Sequence, residues 1–243
     1  MCAHELAFRV ASVTKIGNRL PRRLIQLYAG LIGYGASMAM LVRSRLGNMP
    51  WDVFHQGVTR HIPVSFGTVN IATGAAVLLL WIPLRQRPGL GTVSNVVVLG
   101  LVADATLALL PAPHPMAARI ALLVGGIVLN GVATGAYIGA RFGPGPRDGL
   151  MTGLAARTGR SIRLVRTTLE VAVVLTGWLL GGTLGIGTLA YALTIGPLVQ
   201  VFLPRLTVRE RTAASRSRGA ARRRYGRRWR PRSVRCVTPA GLR

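Results

Sequence analysis

Six long apolar runs follow one another along the chain, and short polar segments separate them. The runs occupy residues 24–42, 67–84, 92–110, 118–139, 164–180 and 187–203. A helix of about 20 mainly apolar residues crosses the hydrocarbon core of a bilayer. The pattern therefore predicts an all-α, polytopic membrane protein with about six transmembrane helices.

A block of sequence returns after 96 residues, so the chain carries an internal repeat. Segment 47–52 reads Gly-Asn-Met-Pro-Trp-Asp, and segment 143–148 reads Gly-Pro-Gly-Pro-Arg-Asp. Self-similarity at one fixed offset indicates two copies of one structural unit. Each copy holds three apolar runs, and an odd number of crossings turns the second copy over. The sequence therefore predicts two inverted three-helix repeats, an arrangement common in transporters.

A polar segment lies between the first two apolar runs, and an equivalent one lies between the fourth and fifth. In each segment an aspartate, Asp52 or Asp148, stands two residues after a proline, which is typical of a helix start with aspartate as N-cap. The helices expected at 53–60 and 149–157 are too short to cross, so we expect them in the interface or as re-entrant hairpins. Further N-caps are expected at Ser65, Ser161, Thr92 and Thr188.

Composition and charge agree with a membrane protein. Only 15% of the 243 residues are charged, against about 25% in soluble domains, and 50% are hydrophobic. The net charge of +25 is uneven, because residues 205–243 hold fourteen arginines and one acid. A cytoplasmic N-terminus puts most Lys and Arg on the cytoplasmic side, as the positive-inside rule requires. Both termini of a multi-pass protein of the cell membrane are therefore expected in the cytoplasm.

The chain is expected to divide into four parts. A basic cytoplasmic segment at 1–23 precedes a first membrane repeat at 24–110, a second repeat at 118–204 and an Arg-rich cytoplasmic tail at 205–243. The low apolar content and self-repulsion of the tail predict disorder. Its charge predicts adsorption to anionic lipid at the membrane surface. A homo-oligomer is left open.

Four acidic residues lie in or beside the apolar runs, namely Asp52, Asp104, Asp148 and Glu170. An ionisable group at membrane depth costs about 2.5–3.5 kcal/mol on insertion scales, so each needs a partner or water. We expect these residues to line a pathway for a small solute or ion. Proton coupling is plausible chemistry there, because a carboxylate whose pKa is raised in an apolar cavity can load and release a proton.

Structural roles also account for these acids. N-capping explains Asp52 and Asp148, and an interhelical hydrogen bond explains Asp104. Glu170 follows Arg166 by one helical turn, which suits an ion pair. The sequence leaves both interpretations open.

No motif of an enzyme or a cofactor site occurs. The chain has no Walker motif, no Gly-x-Ser-x-Gly and no His-Glu-x-x-His. We therefore expect no catalytic residues, no cofactor and no metal. The tail would bind phosphate groups, but no nucleic-acid-binding fold accompanies it, so no nucleic-acid partner is expected. The histidines and cysteines are not spaced as metal ligands or as a disulfide framework. They are His4, His55, His61, His114, Cys2 and Cys236.

The motifs at 47–53, 81–92 and 143–152 resemble those of the YczE/YitT group of bacterial integral membrane proteins. The resemblance covers about residues 22–204, and the Arg-rich tail departs from the compact pattern of the group. It implies a polytopic protein of the bacterial inner membrane. It implies no particular substrate and supplies no catalytic residues.

Two functions fit these observations. The inverted repeat and the acids at membrane depth favour a small secondary transporter or permease-like protein of unknown substrate. In the alternative, the protein is a non-transporting membrane scaffold or regulator, whose glycines pack helices and whose acids cap them.

Overall fold

The computed structural model describes residues 20–207, in which all the regular secondary structure is α-helix. Most of the predicted tail and most of the predicted N-terminal segment lie outside the described residues, as do Cys2 and Cys236, whereas Arg205 and Leu206 belong to the last helix. The described residues form eight helices, which are α1 (Leu20–Ser44), α2 (Pro50–Thr59), α3 (Phe66–Trp81), α4 (Leu90–Leu109), α5 (Met116–Gly139), α6 (Pro146–Thr158), α7 (Ile162–Leu179) and α8 (Ile186–Leu206). The all-α prediction is confirmed, and each apolar run forms one helix.

Four of these helices, α1, α4, α5 and α8, are long and apolar enough to cross a membrane. Helix α3 is apolar but has only 16 residues, which reach about 24 Å against a hydrocarbon core of about 30 Å. Helix α7 has 18 residues and carries Arg163, Arg166 and Glu170. Length and composition therefore support a membrane protein, and the crossing of α3 and α7 stays a prediction.

The serine N-caps are confirmed. The Ser65 side chain accepts a hydrogen bond from the backbone N–H of Thr68 at the start of α3. The Ser161 side chain accepts one from the N–H of Leu164 at the start of α7. Each serine satisfies one of the free N–H groups of a first helical turn.

The aspartate and threonine N-caps were wrong. Helices α2 and α6 begin at their prolines, and neither has a side-chain cap. Proline suits the first helical position, so Asp52 and Asp148 fall at the third position of their helices. Thr92 and Thr188 likewise fall inside the first turns of α4 and α8, whose N-caps are glycines.

Helices α1 and α5 form the centre of the molecule and run antiparallel. The guanidinium of Arg23, near the start of α1, donates to the carbonyl oxygens of Ala140 and Arg141 at the end of α5, at 3.0 and 3.1 Å. Arg119, 96 residues after Arg23, donates in the same way at the end of α1, at 2.8 and 2.9 Å, to Ser44 and Arg45. Two arginines thus cap the final carbonyls of each other's helix.

Small residues let these two helices approach closely. A Cβ added to Gly30 of α1 would lie 2.7 Å from the backbone nitrogen of Tyr137 in α5, closer than real atoms pack. Helix α4 packs against α1, and α8 packs against α5. Helix α2 packs against α7, and α3 packs against α6. Close approach through glycine is the usual way for helices to associate in lipid.

The contact between α3 and α4 has no counterpart between α7 and α8. An added Cβ on Gly100 of α4 would lie 2.6 Å from the carbonyl oxygen of Gly67 in α3, whereas one on Gly196 of α8 would meet nothing within 4 Å. Asp104 of α4 accepts hydrogen bonds from the Ser65 hydroxyl at 2.5 Å and from the Gly67 N–H at 2.6 Å, which fastens α4 to α3. The seam between α7 and α8 therefore stays open.

Candidate functional site

A cavity of about 360 Å³ lies between the helices, and all eight contribute to its wall. Its lining extends to Gly196 and Gln200 of α8, the helix that borders the open seam with α7. Polar groups of several types line it, including Asn70, Asn95 and Tyr191. Because the chain is otherwise rich in apolar surface, these groups mark the cavity as the candidate functional site.

The first turn of α6 projects into this cavity and is held from two sides. The Trp81 indole of α3 donates to the carbonyl oxygen of Pro146 at 3.0 Å. The Thr92 hydroxyl of α4 donates to the carbonyl oxygen of Pro144 at 2.7 Å. These bonds fix the position of the next two residues, Arg147 and Asp148.

Arg147 is the central cation of the site. Its guanidinium lies over the ring of Trp51, 4.9 Å from the ring centroid. One guanidinium nitrogen lies 3.4 Å from Asn70 Oδ1 and 3.9 Å from Asp52 Oδ1. Trp51 and Arg147 occupy equivalent positions in the similar segments 47–52 and 143–148, and they meet here although their side chains differ.

Asp52 is fully buried behind Arg147. Its Oδ1 lies 3.3 Å from Nδ1 of His55, one turn later on α2. Apart from this contact with each other, neither carboxylate oxygen of Asp52 and neither ring nitrogen of His55 has a hydrogen-bond partner among residues 20–207. Burial lowers the pKa of His55, against the opposing effect of Asp52, so the imidazole is neutral at pH 7. Buried polar groups that lack protein partners are costly and typical of functional cavities.

Asp148 faces the cavity, where its side chain is exposed although protein surrounds the site. It accepts a long hydrogen bond, 3.4 Å, from the hydroxyl of Tyr137. Burial raises the pKa of the Asp148 carboxyl, and the charges of Arg166 and Arg147 partly oppose this rise. A carboxyl in this setting can hold a proton or pair with a cation.

The other two acids predicted to line the pathway lie apart from the cavity wall. Asp104 is engaged at the start of α3, as described above. Glu170 accepts a hydrogen bond from the Arg166 guanidinium at 2.9 Å on the exposed side of α7. The structure thus brings Asp52 and Asp148 together around Arg147 and keeps Asp104 and Glu170 separate.

Sequence reasoning did not single out Arg147 or His55. Arg147 was counted only as a cytoplasmic charge, although it stands inside the repeated motif between Pro146 and Asp148. That position was the available signal. His55 follows Asp52 by one helical turn, and this local spacing was the signal that could have pointed to it.

Within residues 20–207, no group of three or more His, Cys, Asp or Glu side chains could hold a metal ion. The polar groups of the cavity are instead suited to hydrogen bonding and ion pairing.

Proteins similar in sequence to this chain include three from bacteria. An uncharacterized protein of Haemophilus influenzae is 40% identical over 169 residues, which cover 70% of this chain and 78% of the relative. The uncharacterized membrane protein YczE of Bacillus subtilis is 31% identical over 195 residues, 77% of this chain and 91% of YczE. The uncharacterized protein YyaS of Bacillus subtilis is 24% identical over 179 residues, 72% of this chain and 89% of YyaS.

No solved structure matches the chain. The similarity to YczE confirms the resemblance that the motifs indicated. Residues 21–204, which include all eight helices but for their outermost residues, match a family of unknown function, DUF6198. The chain therefore belongs to the DUF6198 family of membrane proteins related to YczE.

Proposed function

We propose that this protein is a small secondary transporter, or permease-like protein, of the bacterial inner membrane. The observation that carries the proposal is the polar cavity, to which all eight helices contribute. Polar and charged groups at membrane depth are expensive and usually mark a substrate or ion pathway. A packed scaffold would not need such a cavity.

The proposed architecture is a pair of inverted three-helix repeats with six crossings. Support comes from contacts that occur twice with the two copies exchanged. The backbone N–H of Gly91 donates to the carbonyl of Phe142 at 3.0 Å, and the N–H of Gly187 donates to Leu46 at 2.8 Å. The antiparallel run of α1 and α5 agrees with copies that enter the membrane from opposite sides. Transporters with such repeats bind substrate where the two halves meet.

The short helices α2 and α6 correspond, in this proposal, to the interrupted membrane segments of such transporters. Each starts with a proline and directs its first turn toward the cavity, where Trp51 and Arg147 lie in contact. In the proposed topology they do not cross. Both termini of the protein lie in the cytoplasm, where the positive charges concentrate.

Asp148 in the cavity wall and Asp52, buried behind Arg147, are the proposed pathway residues. Asp104 is proposed to act on the pathway indirectly, by holding or releasing the contact of α3 with α4. Glu170 is proposed to act through Arg166 of the cavity wall, which it holds by a hydrogen bond. The Arg-rich tail, which lies outside the described residues, is proposed to bind anionic lipid. No covalent chemistry is proposed for this chain.

A non-transporting scaffold is the second candidate. The observation that favours it is that Asp104 and Glu170 are both engaged in hydrogen bonds with other protein groups. The tight glycine contacts between helices also suit a protein whose role is to bind other membrane proteins.

Flux measurements in proteoliposomes distinguish the two candidates. The purified protein is screened for uptake of small labelled solutes, with and without a pH gradient. A transporter gives uptake of one solute class, and Arg147→Gln reduces it at least tenfold, because the substitution removes the central cation. Arg157→Gln is the matched control, since this arginine of α6 bonds to the Pro83 carbonyl away from the cavity. An absence of protein-dependent flux across the whole screen favours the scaffold.

A further inference from the structure

Arg147 keeps most of its hydrogen-bonding capacity unused. A guanidinium has five N–H donors, yet within residues 20–207 it makes one hydrogen bond, the long one to Asn70. Its ion pair with Asp52 is also long, and 24% of its side chain is exposed. The planar fork of a guanidinium binds a carboxylate through two parallel hydrogen bonds. Arg147 therefore offers a place for a carboxylate inside the cavity.

Asp148 offers the complementary group. Within the described part of the chain it is the one acidic residue in the cavity wall. No arginine nitrogen lies within 4 Å of it, and its one side-chain hydrogen bond is the long contact with Tyr137. A carboxylate among aromatic rings suits an ammonium group, which gains from the ion pair and from the faces of the rings.

Arg147 and Asp148 do not satisfy each other, although they are neighbours in sequence. The salt bridges of residues 20–207 join Arg147 to Asp52 and Arg166 to Glu170. Arg147 and Asp148 thus face the same cavity without pairing with each other, and Arg166, the other arginine of the wall, is held by Glu170. A ligand with a single charge would leave Arg147 or Asp148 unpaired, and an unpaired charge in this setting is costly.

Size sets a further limit on the ligand. A cavity of about 360 Å³ lies at the small end of the range for ligand pockets. The wall includes the rings of Tyr34 and Trp51, and the unpartnered indole nitrogen of Trp51 and imidazole of His55 also belong to residues of the wall. These groups fit a compact molecule that carries both polar and apolar parts.

We propose that the cavity binds a small zwitterion of the amino acid type, with its carboxylate on Arg147 and its ammonium group on Asp148. This inference rests on the proposed transport function and names the substrate class of the same site. Such a ligand gives Arg147 and Asp148 closer partners than they have in the protein and brings no net charge into the membrane.

Direct binding to the full-length protein in detergent tests this inference without any transport. Each of the twenty protein amino acids and glycine betaine is titrated by calorimetry, together with acetate and methylamine as single-charge probes. We expect at least one zwitterion to bind and both single-charge probes to bind at least tenfold more weakly. Binding of acetate or methylamine alone, or of no zwitterion to folded protein, would overturn the inference.

Derivatives of the bound zwitterion then test the role of each residue. For a bound amino acid, the methyl ester lacks the carboxylate and the N-acetyl form lacks the ammonium group. Arg147→Gln should weaken the parent at least tenfold and leave the ester unchanged. Asp148→Asn should weaken the parent and leave the N-acetyl form unchanged. Equal losses for the parent and both derivatives would overturn the assignment, and Arg157→Gln should change none of these affinities.

Two further points keep the test decisive. Loss of Arg147 leaves Asp52 buried and unpaired, so the double variant Asp52→Asn/Arg147→Gln is measured alongside, with thermal unfolding to confirm the fold. Zwitterion binding without flux would support this inference and count against transport. Flux of another solute class without zwitterion binding would support transport and overturn this inference.

Discussion

Trp51 and Arg147 stand 96 residues apart at equivalent positions, and they contribute different chemistry to one contact. Trp51 offers an aromatic face, and Arg147 offers a cation. Their neighbours Asp52 and Asp148 are chemically identical but differ in setting, because the first is fully buried and the second faces the cavity. At the residue scale, two similar sequence segments thus contribute different side chains to one site.

Asp104 is expected to stabilise the contact of α3 with α4. Asp104→Asn removes the charge from two hydrogen bonds at the start of α3, which should lower stability by about 1–3 kcal/mol. Thermal unfolding in detergent measures this change. The matched control is Glu170→Gln, which breaks a partly exposed pair within one helix and should cost no more than about 0.5 kcal/mol. Equal effects from the two substitutions would contradict the structural role of Asp104.

Local chemistry allowed some residues to be predicted and left others open. Ser65 and Ser161 were predicted as N-caps because a serine bonds to the N–H three residues later. Asp52 was misassigned because the proline before it takes the first position of the helix. The partners of Asp104 lie 37 and 39 residues earlier in the chain. Such contacts depend on the packing of two helices, which no local pattern encodes.

At the scale of helices, glycine decides which pairs approach closely. Gly57 of α2 and Gly177 of α7 form a contact in which an added Cβ on Gly177 would lie 2.4 Å from the Phe54 nitrogen. Gly196 of α8 faces open space instead. The first contact fixes α2, which carries Trp51 and Asp52 to the cavity.

Alanine at these two glycines should therefore have opposite consequences. Gly177→Ala forces α2 and α7 apart and should destabilise the protein by about 1–3 kcal/mol. Gly196→Ala meets no neighbour and should be neutral, or stabilise by up to about 1 kcal/mol through helix propensity. Apparent melting temperature and yield in detergent report both changes. A tolerated Gly177→Ala would contradict the close contact of α2 and α7.

Helix positions could be read from hydrophobic runs, because lipid and core both select apolar residues. The helix predicted at 118–139 is observed at Met116–Gly139, and the one predicted at 187–203 is observed at Ile186–Leu206. The sequence did not reveal that α3 and α4 are in contact while α7 and α8 are apart. Gly100 and Gly196 are both glycine, so residue type alone does not distinguish a closed seam from an open one.

At the scale of the molecule, one seam is closed and its counterpart is open. In two repeats that face opposite sides of a membrane, the closed seam can open while the open seam closes. This exchange would expose the cavity first on one side of the membrane and then on the other. The Asp104 contact would then have to open when the seam between α7 and α8 closes. Alternating access to the cavity is the central claim of the transporter proposal.

Labelling of a single cysteine in the cavity from each side of the membrane tests this claim most directly. Gly196→Cys is introduced with Cys2→Ser and Cys236→Ser, because an added side chain at Gly196 meets no neighbour. Right-side-out and inverted vesicles are treated with an impermeant thiol reagent, and Arg160→Cys in the loop before α7 serves as the one-sided control. We expect Gly196→Cys to react in both vesicle types and Arg160→Cys to react only in inverted ones. Reaction of Gly196→Cys from one side alone would contradict alternating access and favour a fixed scaffold.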